Sequence, residues 1–141
     1  MIGISDSNQA NNTSYLGSQS QQWGYYGNGG KVWNNGSDTI ATLNSFTTGD
    51  IIGVALDLDN YLIYWYKNGT VQNSGTGISL TAPSSTERGS YVFAIGDGSG
   101  STTAIFDANF GNPTFTISSG NSDANGYGNF EYSVPSGYYA L

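Results

Sequence analysis

Hydrophobic positions in this 141-residue chain fall in short runs, which clusters of glycine, asparagine and serine separate. The runs recur about every 8–12 residues, the spacing of short strands in all-β domains. None of them keeps the i, i+3, i+4, i+7 spacing of a helix over about ten residues. We therefore predict an all-β sandwich or barrel. The segments that read as strands or hairpins are MIGIS, WGYYGNGGKVWNNGS, TIATLNSF, DIIGVALDLD, LIYWYK, TVQN, YVFAIGDG and TTAIFDANFG.

One run departs from simple alternation. Residues 61–66, YLIYWY, have a large apolar or aromatic side chain at every position. A strand with one face on a core should alternate apolar and polar residues, so the other face of this strand needs a partner of its own. The short acceptor side chains of residues 57–60, DLDN, predict the turn before this strand, and Asn68-Gly69 predicts a type I′ turn after it.

Composition narrows the range of partners. Almost half of the residues are Gly, Ser, Thr or Asn, which favour turns and strand ends, whereas the 14% aromatic content argues against disorder. Ten acidic and three basic residues give a net charge of −7. Because phosphate groups repel such a surface, nucleic acid and anionic membranes are disfavoured. No apolar segment approaches the roughly 20 residues that a bilayer-spanning helix needs, so we expect no membrane insertion.

Catalytic chemistry finds little support in the residue types. The chain has no His and no Cys, which excludes Ser-His-Asp and Cys-His arrangements. Its two glutamates, Glu87 and Glu131, do not form the closely spaced pair that glycoside hydrolysis requires. The segments DLDN and GDGSGS read as turns and not as calcium loops, which crowd several oxygen ligands into one segment. We predict no enzymatic activity, no metal site and no cofactor.

The segment GDIIGVALDLDN…KNGT, residues 49–70, resembles the SPRY domain signature, a Gly-Asp-x-Ile-Gly-Val strand followed by a Leu-Asp-x-Asp-Asn turn and a second strand closed by Asn-Gly. MIGIS, QQWGYYGNGGKVWNNG, YVFAIGDG and ANFGNPTF resemble further family segments, so the resemblance covers nearly the whole chain. The closing VPSGYYAL is similar to the ending of phage and environmental bacterial members. The resemblance implies a two-sheet antiparallel β-sandwich of the concanavalin A-like type, used as a non-catalytic recognition module.

The same resemblance implies that Ile63 and Trp65 face the core, which leaves Leu62, Tyr64 and Tyr66 on the opposite face. Two features differ from the family pattern. The strands that normally precede the Ile-Gly-Ile strand are either absent or supplied by another chain or a longer parent. An uncovered sheet edge would then invite pairing with another strand. In addition, Tyr61 occupies a turn position where the family often has Gly.

Two groups of aromatic residues are candidate contact sites. The stripe of Leu62, Tyr64 and Tyr66 has two interpretations: another part of the chain covers it, or it contacts a subunit or a sugar. The second group lies between Trp23 and Gly36, where aromatic rings stand beside glycines and asparagines, a combination suited to stacking and directed hydrogen bonds. We expect Trp23 to be a core residue. The candidate ligand or partner contacts are Tyr25, Tyr26, Trp33, Tyr61, Leu62, Tyr64 and Tyr66.

The sequence therefore predicts one SPRY-like domain over residues 1–141 that recognises or assembles with a protein and catalyses nothing. On the phage-like ending, we predict a virion-surface setting, as a capsid decoration or a tail or adhesion element, with self-association as a homo-oligomer or virion lattice. The alternative is a glycan-binding module on the surface of a bacterium or secreted by one.

Overall fold

The computed structural model describes residues 1–6, 14–96 and 104–141. Within these ranges the regular structure is β, apart from two single 3₁₀ turns at Asn73–Gly75 and Pro83–Ser85. The strands are β1 (Ile2–Asp6), β2 (Gln22–Tyr25), β3 (Lys31–Asn34), β4 (Ser37–Thr42), β5 (Ile52–Asp57), β6 (Leu62–Lys67), β7 (Thr70–Val71), β8 (Ile78–Ser79) and β9 (Tyr91–Ile95). They form two antiparallel sheets, which confirms the predicted fold class.

The first sheet has the strand order β4-β3-β2-β1-β9. Its first strand lies inside the sheet, because Ile4 pairs with Trp23 on β2 and with Phe93 on β9. This strand is therefore not an edge of the sheet, and the expected pairing at a sheet edge stays a prediction. The β3–β4 hairpin turns at Asn35 and Gly36, which both have positive φ (51° and 74°), as a type I′ turn requires.

The second sheet is built on the β5–β6 hairpin, with β7 and β8 both pairing with the far side of β6. The predicted turn at Asn68-Gly69 is confirmed, with φ values of 48° and 76°. All six residues of β5 pair in register with those of β6, from Ile52 opposite Lys67 to Asp57 opposite Leu62. Since the register is continuous, alternate β6 side chains lie on strictly opposite faces.

The hydrophobic core contains side chains from both sheets. Its cluster consists of Ile4, Trp23, Tyr25, Val32, Leu43, Ile63, Trp65, Ile78 and Leu80. Trp23 is a core residue, as predicted. Trp65 connects the two sheets, because its ring lies edge-on to Tyr25 at 6.1 Å and its indole Nε1 donates to the Ile2 carbonyl at 3.1 Å. The core therefore holds β6 in a fixed orientation.

The chain divides into two compact units, Met1–Thr103 and Ala104–Leu141. In the second unit, the Asp123 carboxylate accepts hydrogen bonds from the backbone N–H groups of Asn125, Tyr127 and Ala140 at 2.9–3.0 Å. These bonds, chiefly the one from Tyr127, hold the pKa of Asp123 below its usual value. The single-domain assignment stays a prediction.

The strand predicted over TTAIFDANFG is wrong for its described part. Residues 104–110 form no ladder with the described chain, and Ile105 is 91% exposed. A run of apolar residues becomes a strand only where a neighbouring strand is available to pair with it. The first residues of this prediction, 102–103, lie outside the described ranges.

Candidate protein-contact surface

The β5–β6 hairpin separates its side chains into an inner and an outer face. Ile63 and Trp65 are 0% and 2% exposed and belong to the core. Leu62, Tyr64 and Tyr66 alternate with them and are only half-buried. This confirms the division that the sequence predicted, and it explains why YLIYWY has no polar position. One set of its residues fills the core and the other forms the outer surface of the second sheet.

Small residues let the two outer tyrosines lie close to the sheet. Gly53 pairs with Tyr66, and a Cβ added at Gly53 would lie 3.3 Å from the Tyr66 Cβ. Tyr64 contacts Gly77 more closely, because a Cβ added there would lie 2.7 Å from the Tyr64 Cζ. The rings are thus packed on the backbone and positioned before any partner arrives. Their side-chain entropy is largely lost on folding, so binding does not have to supply it.

Tyr61 is an exposed aromatic residue at the turn before β6. It is 42% exposed and has a φ of 56°, in the left-handed region that bulky side chains rarely adopt. The turn is held by Asp57, whose Oδ1 accepts from the N–H of Asp59 and Asn60 and whose Oδ2 accepts from the Asn60 amide. These bonds, led by the Asn60 side chain, lower the pKa of Asp57.

The opposite end of the hairpin is held by Asp50. Its carboxylate accepts hydrogen bonds from the Thr47 N–H at 2.9 Å and the Asn68 amide at 2.7 Å, and it pairs with the Lys67 ammonium at 3.2 Å. The Thr47 bond, followed by the Asn68 bond, is the main cause of the lowered pKa of Asp50. Burial, followed by the charge interaction with Tyr64, raises the pKa of Tyr66.

Val71 pairs with Tyr66 and so points to the same side of the sheet. We call this group of five uncharged side chains the aromatic face, and Asp57, which pairs with Leu62, borders it. Its members are Tyr61, Leu62, Tyr64, Tyr66 and Val71. A partly exposed group of apolar and aromatic side chains on one strand is typical of protein-contact surfaces.

The other predicted contact residues, Tyr25, Tyr26 and Trp33, are not part of the aromatic face. Tyr25 is fully buried, where its hydroxyl donates to the Asn44 carbonyl and burial raises its pKa to about 12. It is a core residue, so its ring is not offered to a ligand. Tyr26 is half-buried on the turn side of β2, and its N–H donates to the Lys31 carbonyl.

Trp33 is also half-buried, on the other surface of the first sheet. Its ring lies edge-on to Tyr15 at 5.2 Å, and Gly17 packs directly on its backbone and Cβ. Its indole Nε1 is buried and has no hydrogen-bond partner among the described residues. Trp33 therefore serves mainly to seat the segment around Gly17 on the sheet.

A groove was not predicted from the sequence. It lies where Asn34 and Ile40 of the first sheet approach residues 73 and 76–81, and its volume is about 540 Å³. The polar turn residues of 73–76 are visible in the sequence, but their position opposite β3 and β4 depends on long-range packing. No sequence spacing could have shown it.

Comparison with known protein families identifies a match. The family model described as SPRY domain matches residues 1–82, more than half of the chain and all of β1–β8. No curated protein matches the sequence. In the described residues, no group of three or more acidic side chains could hold a metal ion, and no helix has the length and apolar character to cross a bilayer.

Proposed function

We propose that this chain, which belongs to the SPRY domain family, is a non-enzymatic assembly domain. Its aromatic face binds a protein surface, in the simplest case that of a second copy. SPRY domains are generally protein-interaction modules. The observation that carries the proposal is the aromatic face itself. Its five side chains are uncharged and partly exposed, on a chain whose net charge is −7.

The expected energetics follow from the packing of the tyrosines. Tyrosine is enriched among residues whose truncation costs at least about 2 kcal/mol of binding, because it buries a large apolar ring at little entropic cost. Tyr64 and Tyr66 are already held against Gly77 and Gly53, which lowers that cost further. Copies that each have a charge of −7 repel one another. Their association should therefore strengthen when salt screens the charges.

The geometry of Glu131 supports a non-catalytic role. Its carboxylate accepts hydrogen bonds from the Ser118 N–H and from the hydroxyls of Ser118 and Ser119. The Ser118 hydroxyl is the first cause of its lowered pKa. A general acid in sugar cleavage needs a raised pKa, so the shift of Glu131 is in the wrong direction for that task.

For the setting, we propose a virion surface, as a decoration, tail or adhesion component. The resemblance of the closing VPSGYYAL to phage members supports this choice. A bacterial cell surface or secreted protein is the alternative. Repeated copies on a particle would make use of weak contacts, because many contacts of modest affinity add up to stable attachment.

Sedimentation velocity over a range of protein concentrations tests the aromatic face. We expect the wild type to self-associate, and to do so more strongly in high salt. The double variant Tyr64→Ser/Tyr66→Ser should remain monomeric. The control is Tyr139→Ser, which removes a more exposed tyrosine (58%) outside the face and should associate like the wild type. A wild type that is monomeric at all concentrations, or a double variant that associates normally, would contradict the proposal.

A further inference from the structure

The groove differs from the aromatic face in its chemistry. Its floor consists of the buried apolar side chains of Trp23, Ile78 and Leu80. Its rim includes the polar side chains of Asn34 and Asn73. Among the described residues, no Asp, Glu, Lys or Arg lines it, although the molecule as a whole is acidic. The groove is wide open to solvent, with a volume of about 540 Å³.

The rim amides are oriented before a ligand binds. Asn34 donates both amide hydrogens to backbone carbonyls, those of Ser20 at 2.9 Å and Gln22 at 2.8 Å. Asn73 donates to the Thr76 carbonyl at 2.9 Å. Both amide groups are therefore fixed, and each keeps a carbonyl oxygen that can accept a hydrogen bond from a hydroxyl group.

The segment that forms one wall is strained. Asn73, Ser74 and Gly75 all have positive φ (54°, 52° and 78°), so two residues with a Cβ lie in succession in the left-handed region. Asn and Gly adopt this region readily, so the strain lies mainly at Ser74, where it costs about 1–3 kcal/mol and persists only where the surroundings enforce it. Here the buried Gln72 does so, because its Oε1 accepts from the Asn44 N–H and its Nε2 donates to the Thr70 carbonyl.

Strain of this kind is concentrated at ligand clamps and other functional sites. A simple connection between β7 and β8 would not require it. The strained turn places Asn73 and Thr76 on the groove, at a position that the Gln72 bonds fix relative to the first sheet. The turn thus has the properties of a preformed wall of a binding site.

We propose that this groove binds a neutral oligosaccharide. Sugar rings combine apolar C–H faces with a rim of hydroxyls, and the groove combines an apolar floor with fixed neutral amides and the hydroxyls of Thr76 and Ser79. A charged glycan or peptide finds no counter-charge in the groove. The groove adjoins the aromatic face at Gly77, which contacts Tyr64, but sugar binding there goes beyond the assembly role proposed above.

The test is calorimetric titration with neutral oligosaccharides of glucose, galactose, mannose and N-acetylhexosamines, from disaccharides to hexasaccharides. Two variants remove rim groups. Asn73→Gly keeps the left-handed backbone and deletes the amide, and Thr76→Val deletes a hydroxyl at nearly constant shape. Each should weaken binding about tenfold, the loss expected for one good hydrogen bond to a ligand.

The matched control is Thr48→Val, which makes the same change at an exposed site away from the groove and should bind like the wild type. Tryptophan fluorescence during urea unfolding checks that every variant is folded. The inference is overturned if no neutral oligosaccharide binds, if both groove variants bind normally, or if only acidic glycans bind. Sedimentation of the groove variants should match the wild type, so failure here and failure of the assembly proposal are distinguishable.

Discussion

Tyr61 offers the sharpest test of how the hairpin is built. Its φ of 56° is a conformation that costs a residue with a Cβ roughly 1–2 kcal/mol. Glycine removes that cost but gains flexibility in the unfolded chain, worth about 0.5–1 kcal/mol. The Tyr61→Gly variant should therefore be more stable than Tyr61→Ala by about 0.5–1 kcal/mol, because both variants lose the ring and only alanine keeps the strain.

The assay is urea unfolding followed by tryptophan fluorescence. All three tryptophans lie in Met1–Thr103, so the signal reports on the unit that contains Tyr61. With a slope of about 2 kcal/mol per molar urea, the midpoint of Tyr61→Gly should exceed that of Tyr61→Ala by about 0.4 M. If the alanine variant is equally or more stable, the left-handed conformation is not a source of strain.

The same two variants separate stability from binding. Both lack the tyrosine ring, so both should self-associate more weakly than the wild type even though the glycine variant gains stability over alanine. A backbone conformation that is costly for tyrosine is then explained by the contact surface that its ring completes. Unchanged association in both variants would remove Tyr61 from the aromatic face.

Three further predictions concern packing and charge. Ile63→Ala should lower the free energy of unfolding by about 2–5 kcal/mol and Leu62→Ala by clearly less, since only the first variant opens a cavity in the core. Equal losses of unfolding free energy in urea would contradict the assignment of these two side chains to opposite faces. Asp57→Asn should lower the urea midpoint at about pH 7 and have little effect at about pH 2. The pKa of Asp57 is lower in the folded state than its unfolded value of about 3.9, so its contribution to stability is present above the unfolded pKa and is lost as the pH falls through the folded pKa. If residues 1–141 form one cooperative domain, Asp123→Asn should also shift the tryptophan unfolding transition, and an unchanged transition would refute the single-domain prediction.

The sequence was most informative where local chemistry determines structure. Asn68-Gly69 tolerates positive φ at both positions, and residues 57–60 supply the acceptors that close a tight turn. The turn at residues 57–60 connects β5 to β6 and fixes their register, and that register places Trp65 inside and Tyr64 outside. The fold class and most of the aromatic face follow from these short-range rules.

Long-range packing determined what the sequence could not show. Tyr25 and Tyr26 are neighbours, so one must lie inside and the other outside, but nothing local decides which. The choice follows from the pairing of Tyr25 with Ile2 and from the hydrogen bond of its hydroxyl to Asn44. The groove has the same origin, because Asn34 and residues 73–81 are far apart along the chain and meet only in the folded sandwich.

Mass-spectrometric footprinting with a side-chain carbene label, at low and at high protein concentration, tests the central claim most directly. The aromatic face should lose labelling as the protein associates, most strongly at Tyr64 and Tyr66. Tyr139 should be labelled equally in both states. If labelling of Tyr64 and Tyr66 does not change while the protein associates, the contact surface lies elsewhere and the account is wrong.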